Sequence, residues 1–262
     1  MTISAIISAI PPGLVLIAGG FLLPFMPARA RPALILALPL VVLWMVWQMP
    51  DGVALSLPFL DHELEPVKVD RLSRLFGLVF AFMTFAGGLF ALTQARPGEM
   101  AAAFVHAGSA IGITFAGDMI TLFVFWEVMA LASTVVIWSA GTRHAYRAGM
   151  RYIAVHLLGG ALLMAGILSY IGATGSPALA GEPIHAALGH GPGTWLILAG
   201  FLINAGAPPL SAWLPDAYPE ASPGGMVFLS AYTTKSAVYV LLRAYPGFEP
   251  LVFIGLYMVF YG

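Results

Sequence analysis

The sequence predicts an all-α polytopic membrane protein of about eight to nine transmembrane helices, one of them broken. Three observations predict it. Of 262 residues, 60% are hydrophobic and 9% charged, whereas soluble domains carry roughly 25% charged residues. A chain with so few polar groups cannot clothe a water-facing surface. Apolar stretches near the roughly 20 residues that a helix needs to cross a hydrocarbon core of about 30 Å recur along its whole length. Prolines, glycines and charge clusters punctuate those stretches. The formal net charge is −1 with no basic block, which argues against a nucleic-acid partner. Cysteine is absent, excluding disulfides and thiolate metal sites.

Taken in order, the punctuation delimits nine segments: 4–26, 32–50, 75–92, 99–117, 118–141, 150–175, 194–212, 224–245 and 246–262. The first resembles a signal peptide in hydropathy but lacks a basic n-region, so it reads as a first span. The fourth and fifth meet at Gly117-Asp118 with almost no loop, which predicts a tight helical hairpin. The ninth is short for a span. Between the second and third, the loop 51–74 alternates apolar and polar residues around ELEPVKVD, a period that suits a short β-hairpin. No soluble domain is expected, and residues 1–262 read as a single transmembrane domain. With the N-terminus outside, the inner loops hold Arg29, Arg31, Arg96, Arg143, Arg147 and Arg151. The outer ones hold Lys68, Arg71, Arg74 and Arg243. Six against four favours an N-out topology by the positive-inside rule, and the inner membrane of a cell as its place.

Several polar residues fall at one depth. Glu127, within FVFWEVMALAS, lies nine residues past Asp118, about 14 Å into the fifth segment at 1.5 Å per residue. Lys235 lies about 16 Å into the eighth and Asn204 about 15 Å into the seventh. An unpaired ion at this depth costs about 2.5–3.5 kcal/mol on insertion scales, so such residues face the protein interior and find partners. Pro208 and Pro209 each remove a backbone donor and should break the seventh helix four or five residues after Asn204. Irregular backbone at this depth is tolerated only when buried in protein or lining a water-filled cavity. Ser230, Thr233 and Thr234 flank Lys235 and are placed to hold waters. A carboxylate, an ammonium, hydroxyls and a helix break are the parts of a proton or cation path. Plainer readings stand beside it: a lone Glu as interhelical glue, a Glu–Lys pair as a structural ion pair, and His106 and His156 as satisfied core histidines.

Three stretches carry a family resemblance: FVFWEVMALAS, the long run NAGAPPLSAWLPDAYPEASPGGMVFLSAYTTKSAVYVLLR, and PVKVDRLSRLFG ahead of the third helix. From about Glu65 onward the chain resembles the antiporter-like, proton-conducting membrane subunits. It is most similar to the D-type subunit of Mrp-type cation/proton antiporters, with complex I and membrane-bound hydrogenase subunits as kin. The resemblance implies that Glu127 and Lys235 belong to a central row of ionisable groups that relays protons. It also implies that the Pro208-Pro209 region is the family's broken helix. Two departures stand out. The family usually carries a lysine nine residues before the tryptophan of W-L-P; that tryptophan is Trp213, and the residue is Asn204. Family members also have two inverted halves, and this chain matches the first.

The reading is therefore a proton-translocating subunit of a multisubunit membrane complex, with Na⁺/H⁺ antiport as one form. Glu127 would carry protons, Lys235 would be its charge partner, and Asn204, Thr234 and Ser230 would bridge them. Other membrane subunits are the expected partners, among them a chain supplying the second half, and the lipid bilayer surrounds the whole. Neither a cofactor nor a metal site is expected, and no HExxH or nucleotide loop points to enzymatic chemistry. The rival reading is an assembly scaffold that has lost the complete path.

Overall fold

The computed structural model describes residues 10–179 and 182–261. Residues 4–9 of the first predicted span, 180–181 of the loop after the sixth, and Gly262 of the ninth lie outside the described residues. Helix α1 covers Pro12–Leu22 and runs into a 3₁₀ turn over Leu23–Phe25; α2 covers Arg31–Gln48. An antiparallel hairpin follows, β1 Gly52–Phe59 and β2 His62–Val69, as the alternation predicts. Then come α3 Arg71–Ala91, α4 Pro97–Phe115, α5 Met119–Trp138 and α6 Arg143–Thr174. The last five helices are α7 Ile184–Leu188, α8 Pro192–Ala205, α9 Trp213–Ala217, α10 Pro223–Ala244 and α11 Pro250–Tyr261. Helices α1, α2, α4, α8 and α10 each begin with proline at the first or second helical position. Its missing N–H is one that no helix could pair there.

Among the described residues, five helices, α2, α3, α5, α6 and α10, are long and apolar enough to cross a membrane; α1, α8 and α11 are apolar but shorter. Helix α4 is the centre of the bundle. Every residue from Ala102 to Phe115 is buried, and α1, α3, α5 and α10 all pack on it. Its alanines, glycines and serine leave room for neighbours on every side, as small residues do at membrane helix contacts. Helix α11, by contrast, buries none of its residues.

The connections gather on two faces. On one face the hairpin locks onto the α4–α5 junction. The Gly117 N–H donates to the Glu65 carbonyl at 2.8 Å, and the Glu65 N–H donates to the Asp118 carboxylate at 2.8 Å. Leu179 and Met119 stitch the loop after α6 onto the same junction through 2.8 Å backbone bonds to Gly117 and Pro177. Asp118 makes the near-absent loop workable by capping α5: its carboxylate accepts from the Thr121 N–H and hydroxyl, each at 2.7 Å. Arg243, at the end of α10, pairs there with Asp70, the N-cap of α3.

The break after α8 falls earlier than the prolines imply. The helix ends at Ala205, one residue past Asn204, because Gly206 adopts a left-handed φ of +72°. The Ala207 N–H then reaches the Leu202 carbonyl at 3.0 Å and the Gly206 N–H the Ile203 carbonyl at 3.1 Å. This paired closure consumes two terminal carbonyls. Pro208 and Pro209 lie beyond it, half-buried and exposed respectively, so they keep the helix from restarting rather than ending it.

Candidate functional site

Glu127 sits on the side of α5 that meets α6. Its Oε1 is buried without a protein partner. The carboxylate reaches the α6 backbone at Gly160, where a Cβ would collide with Oε1. Asn204, near the end of α8, is 1% exposed, and both its amide oxygen and its amide nitrogen are buried without protein partners. Helices α6 and α8 touch closely here, since a Cβ on Gly159 would meet the Ile203 side chain. So the Glu127 carboxylate and the Ile203 side chain flank one pair of glycines, 160 and 159, from opposite neighbours.

Lys235 corrects an expectation. It forms no ion pair with Glu127. It is exposed, its Nζ donating to Thr234 Oγ1 at 3.1 Å beside Leu75, Phe76, Val79 and Met83 of α3. Ser230 lies on the same outer strip, bonded to its own helix at Val227. The reason is helical rotation. Successive residues turn by about 100°, so with Thr233 and Ser236 buried against the bundle, Lys235 faces away. Nor can Asn204, inside the bundle, stand between Glu127 and a lysine on the outside.

What lies in the interior instead is a file of neutral polar side chains: His106 and His156, expected as satisfied core histidines, Thr233, expected beside Lys235, and Ser133 and Tyr152, which the sequence did not single out. His106 of α4 is 0% exposed and His156 of α6 is 1% exposed. His156 Nδ1 lies 2.9 Å from the Tyr152 carbonyl. A carbonyl only accepts, so Nδ1 carries the proton and Nε2 is left as a bare acceptor; that Nε2 is buried without a protein partner. The same logic gives His106 an Nδ1–H directed at the Met129 carbonyl (3.3 Å) and an Nε2 that faces the Thr233 hydroxyl at 3.5 Å. Ser133 donates to the same Met129 carbonyl at 2.8 Å and lies 2.9 Å from the Tyr152 hydroxyl. Tyr152 stacks on His156 with ring centroids 3.8 Å apart. One signal was open to sequence reading: Tyr152 and His156 are four apart and therefore share a helix face.

The segment after the break closes this file from one end. Trp213 packs on His156 at 4.6 Å between ring centroids, and its indole N–H donates to the Ile203 carbonyl at 2.9 Å. Arg151, on the first turns of α6, grips Asp216 of α9 with two bonds of 2.8 and 2.7 Å. That guanidinium holds the Asp216 carboxyl below its ordinary range. The stabilisation is therefore present above the carboxylate range and fades as pH falls through it. Glu99, buried at the start of α4, accepts from Ser222, the N-cap of α10. Nothing in its sequence context marked it.

The fold is thus a bundle built around a buried small-residue helix, with a partly buried carboxylate, a broken helix and an interior polar file. The sequence pattern described as NADH:quinone oxidoreductase/Mrp antiporter, TM, matches residues 116–261, more than half of the chain, and the chain belongs to that family. It is 35% identical over 140 residues to the D-type subunit of a probable K⁺/H⁺ antiporter of Rhizobium meliloti, covering 50% of this chain and 26% of that one. It is 32% identical over 143 residues to the N-type subunit of the NADH-quinone oxidoreductase of Deinococcus radiodurans, covering 52% and 29%. In fold it is similar to a chain of the Mrp complex of a Dietzia species, with a TM-score of 0.74, 24% identity, and coverage of 94% of this chain and 49% of that one. The chain thus spans a half or less of each relative's length.

Proposed function

We propose that the chain is a proton-translocating subunit of a multisubunit membrane complex, with Glu127 as its proton-carrying carboxylate. The observation that carries this is the buried Glu127 Oε1, which has no protein partner to satisfy it. A carboxylate so placed is costly unless it is protonated or hydrated, and a group that alternates between those states is what transport uses. The role in the name of one similar protein, K⁺/H⁺ antiport, supports an ion-moving reading, and Na⁺ or K⁺ is the coupled ion we propose. We take residues 1–262 as one transmembrane unit in a cell's inner membrane, its N-terminus outside. The further helices it works with would pack on the side that bears Lys235 and α11, whose residues are all unburied. Those helices form the second half of the path, in another chain or elsewhere in the protein. Lys235 acts at that boundary and not as a direct partner of Glu127, with Thr234 and Ser230 beside it.

A scaffold role is the second reading, favoured by the neutral Asn204 and the outward Lys235. One experiment separates the two. The chain is affinity-purified from its own membranes with whatever subunits accompany it, and the assembly is reconstituted into liposomes with an internal pH dye and an imposed cation gradient. Glu127→Gln should cut proton movement by about a hundredfold while the assembly stays intact. Unchanged movement in that variant would leave only the scaffold.

A further inference from the structure

Helix α6 runs for 32 residues, Arg143–Thr174, whereas about 20 suffice to cross the hydrocarbon core. Its surplus turns stand in a headgroup layer or in water. Charge shows which end stands out: Arg143, Arg147 and Arg151 occupy the first turns, and from Tyr152 to Thr174 no charged residue follows. Counted at about 100° per residue, Arg143 and Arg147 share a strip about 100° wide with Met150, Leu157, Leu158, Ala161 and Leu168. All seven are exposed. One face thus carries two guanidiniums above a continuous apolar track, with Met150 about 4.5 Å deeper than Arg147. The headgroup layer is only about 5–7 Å thick on each side of the core. That short step is the step from lipid phosphate to acyl chain.

A third arginine joins them. Arg96, the N-cap of α4, is exposed and brings a guanidinium nitrogen to 3.7 Å from where a Cβ on Gly141 would stand. Gly141 belongs to the turn between α5 and α6, and Thr142 caps α6 by accepting from the Ala145 N–H at 2.9 Å. Trp138 braces the same turn. Its indole N–H donates to the Tyr146 carbonyl at 3.2 Å, and its ring stacks on Tyr146 with centroids 5.7 Å apart. Gly149 leaves room for it, since a Cβ there would strike the indole. Amphipathic aromatics of this kind sit at membrane–water interfaces.

None of these three arginines has an acid to pair with. Among the described residues the ion pairs are Lys68–Glu65, Arg74–Asp51, Arg151–Asp216 and Arg243–Asp70. On this face Glu99 is engaged by Ser222 and Asp216 by Arg151, and Glu220 lies toward Arg151. Helix α6 has no acid in its first turn, so Arg143 meets the positive end of the helix dipole unrelieved. Such a cluster calls for an anion, and a guanidinium can grip phosphate with two parallel N–H bonds. We propose that Arg96, Arg143 and Arg147 form a binding site for the phosphate of an anionic phospholipid, its acyl chains laid along the α6 strip below. The apolar track favours a lipid over free phosphate or a water-borne acidic segment, neither of which would cover it. The site is independent of the proton-translocating reading.

The test titrates dioleoyl phosphatidylglycerol into the affinity-purified assembly in mild detergent and counts bound lipid by native mass spectrometry. Using the assembly means that a partner chain lying over the arginines shows as a missing site. Phosphatidylglycerol should bind at least about tenfold more tightly than dioleoyl phosphatidylcholine, which carries the same chains on a neutral headgroup. Arg96→Gln, Arg143→Gln and Arg147→Gln should each weaken it about fivefold. Arg143→Lys and Arg147→Lys, which keep the charge and lose the fork, should weaken it less. Arg29→Gln, which removes an exposed arginine from the loop before α2, should leave it unchanged. Equal affinity for the two lipids, an equal loss in Arg29→Gln, or no site on the assembly overturns the proposal. So does displacement of the lipid by millimolar inorganic phosphate, which would make the arginines a free-anion site. If the glutamine variants fail to assemble, the lysine variants and the comparison of lipids still decide.

Discussion

Thr233 and Lys235 stand two positions apart on one helix, and that rotation decides what each of them does. Thr233 turns inward to His106, and Lys235 turns outward to the strip between α10 and α3. A buried Glu–Lys pair would show a coupling on double mutation, since deleting one member strands the other at a cost of about 3–5 kcal/mol. Because the two residues do not touch, the effects of Glu127→Gln and Lys235→Met on stability should add to within about 0.5 kcal/mol. Thermal unfolding of the two single variants and the double variant in detergent measures this. A double variant markedly more stable than the sum predicts would restore the direct pair. Gly160 shows the same precision from the other side: its missing Cβ is where the Glu127 carboxylate lies.

Among the elements, the junction between α8 and α9 is the one whose geometry is most demanding. Gly206 holds φ at +72°, and a Cβ there would strike the Leu214 side chain. Gly175, which ends α6, has nearly the same φ of +71° but no atom within 4 Å of its Cβ position. Gly175→Ala should therefore cost only the left-handed strain, about 1–2 kcal/mol. Gly206→Ala should cost that strain and the collision together, about 1–3 kcal/mol more for the overpacking. The comparison is a melting-temperature series. Equal losses at the two glycines would mean that Leu214 yields freely and that the junction is looser than its contacts imply. The Arg151–Asp216 grip adds to the junction's order, though both side chains are substantially exposed, at 58% and 37%, so its contribution is small and screened by salt.

For the molecule as a whole, sidedness is what the loop charges predict, and the structure supplies the sites to test it. The hairpin and the α4–α5 junction share one face, and α9 with the start of α6 the other. The chain has no cysteine, so single cysteines report without background. Ser56→Cys on β1 should react with an impermeant thiol reagent added to intact cells. His144→Cys, at the exposed start of α6, should react only after the membrane is opened. The reverse pattern would invert the topology.

The order of residues was enough to specify a membrane bundle, the approximate limits of most of its helices, and the hairpin in the loop 51–74. Hydropathy, proline position and residue alternation are local properties, and the bilayer's fixed thickness converts them directly into elements. Glu127 stood out too, because a charge within an apolar stretch is anomalous on a linear count alone, and the structure buries its Oε1 without a protein partner. How the polar residues are shared out depended on packing in three dimensions. Depth along a helix can be counted, but the direction of a side chain around it depends on which face the neighbours cover. The prediction that Glu127, Asn204 and Lys235 meet used depth alone and failed for the lysine. The same packing joined His106, Ser133, Tyr152, His156 and Thr233, drawn from four helices and nearly 130 residues of chain, into one interior file. None of them is anomalous alone, since a neutral histidine, tyrosine or threonine costs little to bury once bonded. What the fold adds is adjacency, which arises when the small residues of α4 let its neighbours close around it.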